Sequence, residues 1–303
     1  MGYFARLRRD LRINVSVYML IVPALLYYII FCYWPIYGQV IAFKDFSPAK
    51  GILGSPWAGI KHFKAFFMSR YFFQLIGNTL MINVYQLVFA FPAPILLALL
   101  LNELTNLRFK RIIQTLSYLP HFVSLVVVCG LTLDFMRSDG VVNQIIQFFG
   151  GTPIQFFLIS GWFRPLYTIT NIWQSVGWSS IIYIAALSNI DLTLYEAADI
   201  DGAGRWQKML HVSLPGILPI IAILLIMQMG NMMSVGFEKI ILLYNPMIYE
   251  TADVISTFVY RKGLQEMNYS YSAAVGVFNS VINVGLLCAA NVLSRRSTGS
   301  GLW

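Results

Sequence analysis

Charge is scarce in this chain. Only 11% of its 303 residues are Asp, Glu, Lys or Arg, against roughly 25% in ordinary soluble domains. So few charges cannot cover a soluble surface of this size, which excludes a soluble enzyme or carrier. Cysteine is scarce as well. Cys32, Cys129 and Cys288 all lie in apolar runs, with no CxxC and no Cys/His ligand spacing. A disulfide frame and a metal site are therefore unsupported. His62, His121 and His211 are scattered, and no Ser/His/Asp set accompanies them, so a membrane enzyme acting on lipid or glycan lacks its reacting groups. No carboxylate sits mid-run, where a proton-coupled secondary transporter needs one; Asp134 falls near the end of its run. Internal repeats, heptads and low-complexity tracts are missing, and only the last residues, SRRSTGSGLW, read as disordered.

What the chain has is apolar length. Hydrophobic residues make up 58% of it. A helix needs about 20 mainly apolar residues to cross a hydrocarbon core of about 30 Å. Six stretches qualify, near 13–34, 72–101, 112–135, 166–190, 213–233 and 273–293. The expected fold is all-α: a polytopic membrane protein of six transmembrane helices over 13–293, with a basic segment 1–12 before it and a tail 294–303 after it. No small-residue cleavage site follows the first run, so it is read as a retained span. Pro23, Pro92, Pro94, Pro120 and Pro219 lie inside the runs and mark expected kinks, because neighbouring helices can re-satisfy the freed carbonyls.

The net charge of +8 fits basic residues at cytoplasmic span ends better than nucleic-acid binding. Arg6, Arg8, Arg9 and Arg12 precede the first run, and Arg108, Lys110 and Arg111 follow the second. Arg205 and Lys208 follow the fourth, and Arg295 and Arg296 the sixth. Basic residues are about twice as dense on that side as on the other. Both termini and residues 191–212 are therefore expected in the cytoplasm, with the chain multi-pass in the cell membrane. The opposite loops, 44–71, 136–165 and 236–272, are long and aromatic, with Trp57, Trp162, Tyr244 and Tyr249 among their rings. Such rings serve as interfacial anchors, as a partner surface, or as stacking platforms for sugars.

The 191–212 loop is longer than a turn needs, and it reads as two short helices. Thr193 and Glu196 fit a capping box at the start of the first. Leu194, Ala197, Ala198 and Ala203 fall on one face, small enough for close approach to a partner. Asp199 and Asp201 face elsewhere or cap the second helix. Gly202 and Gly204 allow a tight or left-handed turn. Residues 205–210 form the second helix, and Pro215 suits the first turn of the next span. Local sequence alone leaves two readings, an interfacial hairpin or a docking element.

The spacing Glu196-Ala197-Ala198, three residues, Gly202, nine residues, Val212, one residue, Leu214-Pro215 resembles the EAA signature of importer-type ABC transporter permeases. TLSYLPHFVS (115–124), GFEKIILLYNPMIYETADVISTFVYRKGL (236–264) and YSYSAAVGVF (269–278) extend the likeness over nearly the whole chain. They are similar to carbohydrate-uptake permeases related to the maltose transporter subunits, in the lipo-oligosaccharide and polymannuronate/rhamnogalacturonan-type subgroup. The resemblance implies a type I ABC importer permease, a transmembrane subunit that is not itself an enzyme. Its cytoplasmic coupling helix would carry Glu196, Ala197, Ala198, Asp201, Gly202, Ala203, Gly204, Leu214 and Pro215. It implies a second homologous permease, two ATP-binding subunits, an extracellular or periplasmic solute-binding protein, and import of an oligosaccharide, a complex or acidic glycan fragment. No GxxxxGK[ST] stretch exists here, so ATP and Mg would be bound by the partner ATPase and no cofactor by this chain.

Polar groups within spans usually face the bundle interior or a cavity. Asn171, Trp173, Gln174, Gln228 and Asn231 rank first for the solute pathway, because they cluster on the two spans flanking the Glu196 loop. Amides suit hydroxyl-rich solutes, since they both donate and accept. Asn78, Asn83, Gln86, His121, Ser124, Trp178, Asn279 and Asn283 rank behind them.

Overall fold

A computed structural model describes residues 13–298. Segment 1–12, with Arg6, Arg8, Arg9 and Arg12, lies outside the described residues, as does the end of the tail. Among the described residues every element is helical, apart from one isolated bridge between Lys44 and Trp57. Helix α1 (Val15–Tyr27) runs on to Phe43 as one apolar helix of 29 residues. Helix α2 (Phe72–Tyr85) continues into α3 (Pro92–Asn102), 31 residues together. Helices α4 (Leu107–Tyr118) and α5 (Leu125–Phe135) follow, then α6 (Ser160–Leu187, 28 residues) and α7 (Leu192–Ile200). Helix α8 (Arg205–Lys208) runs into α9 (Leu214–Gly230), 26 residues together; α10 is Phe237–Leu243 and α11 is Tyr269–Thr298. Four of these helical runs are long and apolar enough to cross a membrane, or six if each of two bent pairs is one span.

Three prolines share one local device. Immediately before Pro35, Pro92 and Pro215 the helix widens into a π-turn. The amide just ahead of each ring reaches five residues back: Trp34 to Ile29, Phe91 to Gln86 and Leu214 to Met209. A proline ring in a regular α-helix collides with the carbonyl four residues back and leaves it without its donor. The wider turn relieves that collision while the helix continues. For this reason Pro215 does not begin a new helix, and the expected second loop helix is the first part of a continuous 205–230 run.

The stretch 112–135 is not one straight rod. Leu119–Phe122 tightens to a 3-10 turn, and α5 starts afresh at Ser124, whose hydroxyl accepts from the Val127 amide at 3.4 Å. The two arms meet at 101°. At the break His121 stacks on Trp178 of α6, ring centroids 4.5 Å apart. The stack gives this exposed histidine a packing partner on α6.

The chain divides into two compact units. One comprises the described residues up to Met68 together with Lys262–Val277. Its apolar helix α1 buries nothing in its most apolar stretch. Beyond it, the Asp45 amide bonds the Pro56 carbonyl at 2.9 Å and the Asp45 carboxylate pairs with Lys61 at 3.0 Å.

The other unit comprises Ser69–Arg261 and the described residues from Phe278. Helix α6 is its centre, packed against α3, α4 and α9. Gly177 lets α6 lie directly on α4, since a Cβ there would run into the Ser117 carbonyl. Ile95, Ala98, Leu99, Tyr183, Leu187, Met209 and Ile217 make one buried cluster. The second gathers Ile82, Cys129, Phe163 and Tyr167 with Val235, Ile240, Leu243, Ile248, Ala252 and Val254. The sequence pattern places 236–272 among the outer loops, yet 235–258 supplies most of this core. Short helices let apolar residues pack inward without the length of a span, a burial that a 20-residue criterion does not detect.

Candidate functional site: a charged loop and a polar cavity

Helix α7 begins at Asp191, not at Thr193. The Asp191 carboxylate accepts from the Thr193 amide at 2.9 Å. This bond holds its carboxyl below the usual carboxylate range. The expected Thr193–Glu196 capping box is therefore corrected: the helix starts earlier, where an ionised aspartate meets the positive end of the helix dipole. Glu196 is left exposed on the helix surface.

At its other end α7 closes in a Schellman turn. The Ala203 amide bonds the Ala198 carbonyl at 2.9 Å, and the Gly202 amide bonds the Asp199 carbonyl at 3.1 Å. Gly202 has φ +74°. Gly204 does not share this geometry: at φ −69° it is extended and precedes α8, and its amide donates to Gln207 Oε1 at 2.7 Å. Lys208 pairs with Asp199 at 2.6 Å, and the Tyr195 hydroxyl meets Ser213 Oγ at 2.9 Å. The loop is thus braced to the α8–α9 run by side chains. Ile200, at 87% exposure, and Trp206, at 68%, project from it without burial in this chain. Ala197, Asp201, Gly202 and Gly204 are exposed too, and Ala198 and Ala203 partly so. Leu214 and Pro215 sit further along, beyond the π-turn.

A cavity of about 410 Å³ lies between the α2–α3 run, α6 and α9. Gln86, Asn171, Ser175, Tyr183, Gln228 and Asn231 contribute to its polar lining, and among the described residues no charged one borders it. The structure therefore brings Asn171, Gln228 and Asn231 together. Trp173 lines a separate apolar cleft of about 230 Å³ beside Leu131 and Phe135. Gln174 lines a second cavity of about 350 Å³ with Asn171, Tyr167, Glu238 and Lys239. Asn171 borders both larger cavities.

Other amides of the spans fix the helices instead. Asn78 donates to the carbonyls of Glu250 and Asp253, each at 2.9 Å. Asn83 donates to the Met232 carbonyl at 2.9 Å, and Asn283 Oδ1 accepts from the Met233 amide at 2.9 Å. They close backbone groups that would otherwise be bare in an apolar interior.

Asn171 belongs to a chain of side chains. Its amide donates to Gln86 Oε1 at 2.6 Å, and Gln86 Nε2 donates to Thr168 Oγ1 at 3.2 Å. Its Oδ1 accepts from Lys239 Nζ at 3.5 Å. Lys239 is 4% exposed, and sequence pattern alone assigned it no role. Its trace in the sequence is a lone lysine before four apolar residues, EKIILL. Arg164 is a second such cation, donating to Asn78 Oδ1 at 2.9 Å with Nε buried and without a partner.

A multi-helix membrane unit with an amide-lined cavity beside an exposed, braced loop fits a transport permease. The chain belongs to the binding-protein-dependent transport system inner membrane component family, whose model matches residues 90–299. It is a multi-pass membrane protein and a non-catalytic transport subunit. It is 46% identical over 287 residues to the polygalacturonan/rhamnogalacturonan transport system permease protein YteP of Bacillus subtilis (strain 168), covering 94% of this chain and 89% of that protein. To Protein LplB of the same organism it is 44% identical over 303 residues, 100% of this chain and 94% of the relative. Its fold matches a chain in the crystal structure of a bacterial ABC transporter involved in the import of the acidic polysaccharide alginate. The TM-score is 0.90 at 43% identity, over 97% of this chain and 99% of that one. A crystal structure of bacterial alginate ABC transporter in complex with an alginate pentasaccharide-bound periplasmic protein matches with TM-score 0.91 at 42% identity, over 98% of this chain and 100% of that one.

Proposed function

We propose that this chain is the permease subunit of an ATP-driven importer that takes an oligosaccharide, a complex or acidic glycan fragment, across the bacterial inner membrane. Both termini and the Glu196 loop face the cytoplasm. The loop docks on a partner ATPase, which binds the ATP and Mg. Two such subunits, a second homologous permease and an extracellular or periplasmic solute-binding protein complete the machine.

The observation that carries this reading is the Gly202 turn. It ends a capped, exposed helix in the register of the EAA signature, and Lys208 and Tyr195 brace that helix to the next span. A helix held in this way moves with the span as one body, so displacement by an ATPase reaches the cavity walls on α6 and α9. Asn171, Gln228 and Asn231 then contact solute in the first cavity; Gln174 meets it in the second and Trp173 borders the path. The names of YteP and of the alginate transporter support the sugar.

The test is purification of the tagged chain from its host, followed by reconstitution. A second permease and an ATPase should co-purify, and oligosaccharide on the binding protein should stimulate ATP hydrolysis. Replacing Glu196 and Gly202 together should abolish that stimulation while leaving the chain in the membrane. A chain recovered alone, with no ATPase at any detergent condition, would overturn the docking role.

A further inference from the structure

We propose that Lys239 reads the charge of the solute, its buried ammonium serving as counter-charge for a carboxylate on an acidic oligosaccharide passing the second cavity. The inference rests on the oligosaccharide-importer reading and adds a specificity-determining residue to it.

An ammonium away from water is costly to hold unless a carboxylate faces it. Lys239 is 4% exposed, and among the described residues no carboxylate oxygen comes within 4.0 Å of it. Glu238 borders the same cavity but forms no such pair. The compensation on hand is weak: the Asn171 carbonyl oxygen at 3.5 Å and the face of the Tyr167 ring at 5.4 Å. Asp253, by contrast, is matched by Arg261, while Arg164, another cation without a carboxylate partner among the described residues, lines neither of the two larger cavities. Lys239 is the unmatched case that also borders a cavity large enough for a sugar ring. A carboxylate arriving there would meet one fixed positive charge, with Gln174 and Asn171 beside it to bond the flanking hydroxyls.

Asn171 joins this position to the larger cavity, which holds only neutral amides and hydroxyls along its polar wall. The two cavities thus divide recognition: hydroxyls along the amide wall, charge at Lys239. A neutral oligosaccharide satisfies the first and leaves the ammonium unmatched.

The experiment uses the reconstituted complex with its binding protein. It compares transport of an oligogalacturonide with that of the same oligosaccharide after reduction of its carboxyl groups. Lys239→Gln should lower transport of the acidic sugar at least about tenfold, the scale of one lost charge-assisted bond of ~1.5–3 kcal/mol. Transport of the reduced sugar should fall far less, because that sugar carries no carboxylate to lose its counter-charge. Lys239→Arg should keep most of the acidic transport, because it keeps the charge. An equal fall for both sugars, or equal behaviour of the glutamine and arginine variants, would make Lys239 a packing residue and overturn the proposal. So would loss of assembly in the glutamine variant with rescue by arginine, since the anion then belongs to a partner chain. A wild-type complex that moves neither sugar would defeat the oligosaccharide reading itself, and this inference with it.

Discussion

Lys208 Nζ and Asp199 Oδ1 lie 2.6 Å apart, an ion pair that reaches from α8 back to α7 across the Gly202 turn. Lys208 is 21% exposed and Asp199 60%. A pair this open to solvent contributes about 0–1 kcal/mol. Lys208→Ala is therefore expected to lower solute-stimulated ATP hydrolysis by no more than about fivefold. The exchanged pair Asp199→Lys with Lys208→Asp should recover most of it. A loss far beyond this, unrepaired by the exchange, would mean that Lys208 itself touches the ATPase.

Gly202 acts through its backbone alone. At φ +74° a side chain is disfavoured, yet a Cβ there meets nothing within 4 Å. The penalty is therefore conformational, roughly 1–2 kcal/mol for a non-glycine residue, smaller for asparagine and largest for a β-branched one. Solute-stimulated hydrolysis should fall in the order glycine, Gly202→Asn, Gly202→Ala, Gly202→Val, with the valine variant still inserted and still meeting the binding protein. If asparagine does no better than valine, crowding against the partner rather than the left-handed turn sets the requirement.

Sequence periodicity and composition carried the apolar helices and the glycine turn, because both rest on strong local physics: span length and freedom at positive φ. Other features depended on packing and were illegible. A kink at Pro120 was expected, but not the 101° size of the break beside it, where His121 stacks on Trp178, 57 residues away in sequence. Asp191 took the cap from Thr193: intrinsic N-cap preference favours aspartate over threonine, but the capping-box spacing from Thr193 to Glu196 pointed the other way. Within the cavity, Asn171, Gln228 and Asn231 converged, while Trp173 turned to another face of α6. Lys239 carried no signal because Glu238, Glu250, Asp253 and Arg261 interrupt 236–261 and keep it from resembling a span, although many of its residues are among the most buried of those described.

Gly177 and Gly285 offer a controlled comparison of packing against propensity. Both are helical. At Gly177 a Cβ collides with the Ser117 carbonyl of α4, whereas at Gly285 nothing lies within 4 Å. Backbone at a helix crossing gives way poorly, so Gly177→Ala should destabilise by about 1–3 kcal/mol. Gly285→Ala should be neutral or stabilising by up to ~1 kcal/mol, the helix-propensity difference. Thermal unfolding in one detergent reads both, and equal midpoints for the two variants would contradict the close crossing of α6 and α4.

The Asp191 cap predicts how the loop responds to acid. The Thr193 amide holds the Asp191 carboxyl below the ordinary carboxylate range. A group whose pKa is depressed by folding contributes fully above its unfolded value and loses that contribution only as pH falls through the lowered one. The cap should therefore be intact from about pH 7.5 to pH 5, well above the usual aspartate value of about 3.9. Asp191→Asn retains an acceptor for the amide and removes the charge, so its solute-stimulated hydrolysis relative to wild type should stay flat across that range. Asp191→Ala removes the acceptor and should be impaired at every pH in it. A ratio between asparagine variant and wild type that bends near pH 6 would show that the carboxyl titrates in the physiological range and that the amide does not hold it ionised.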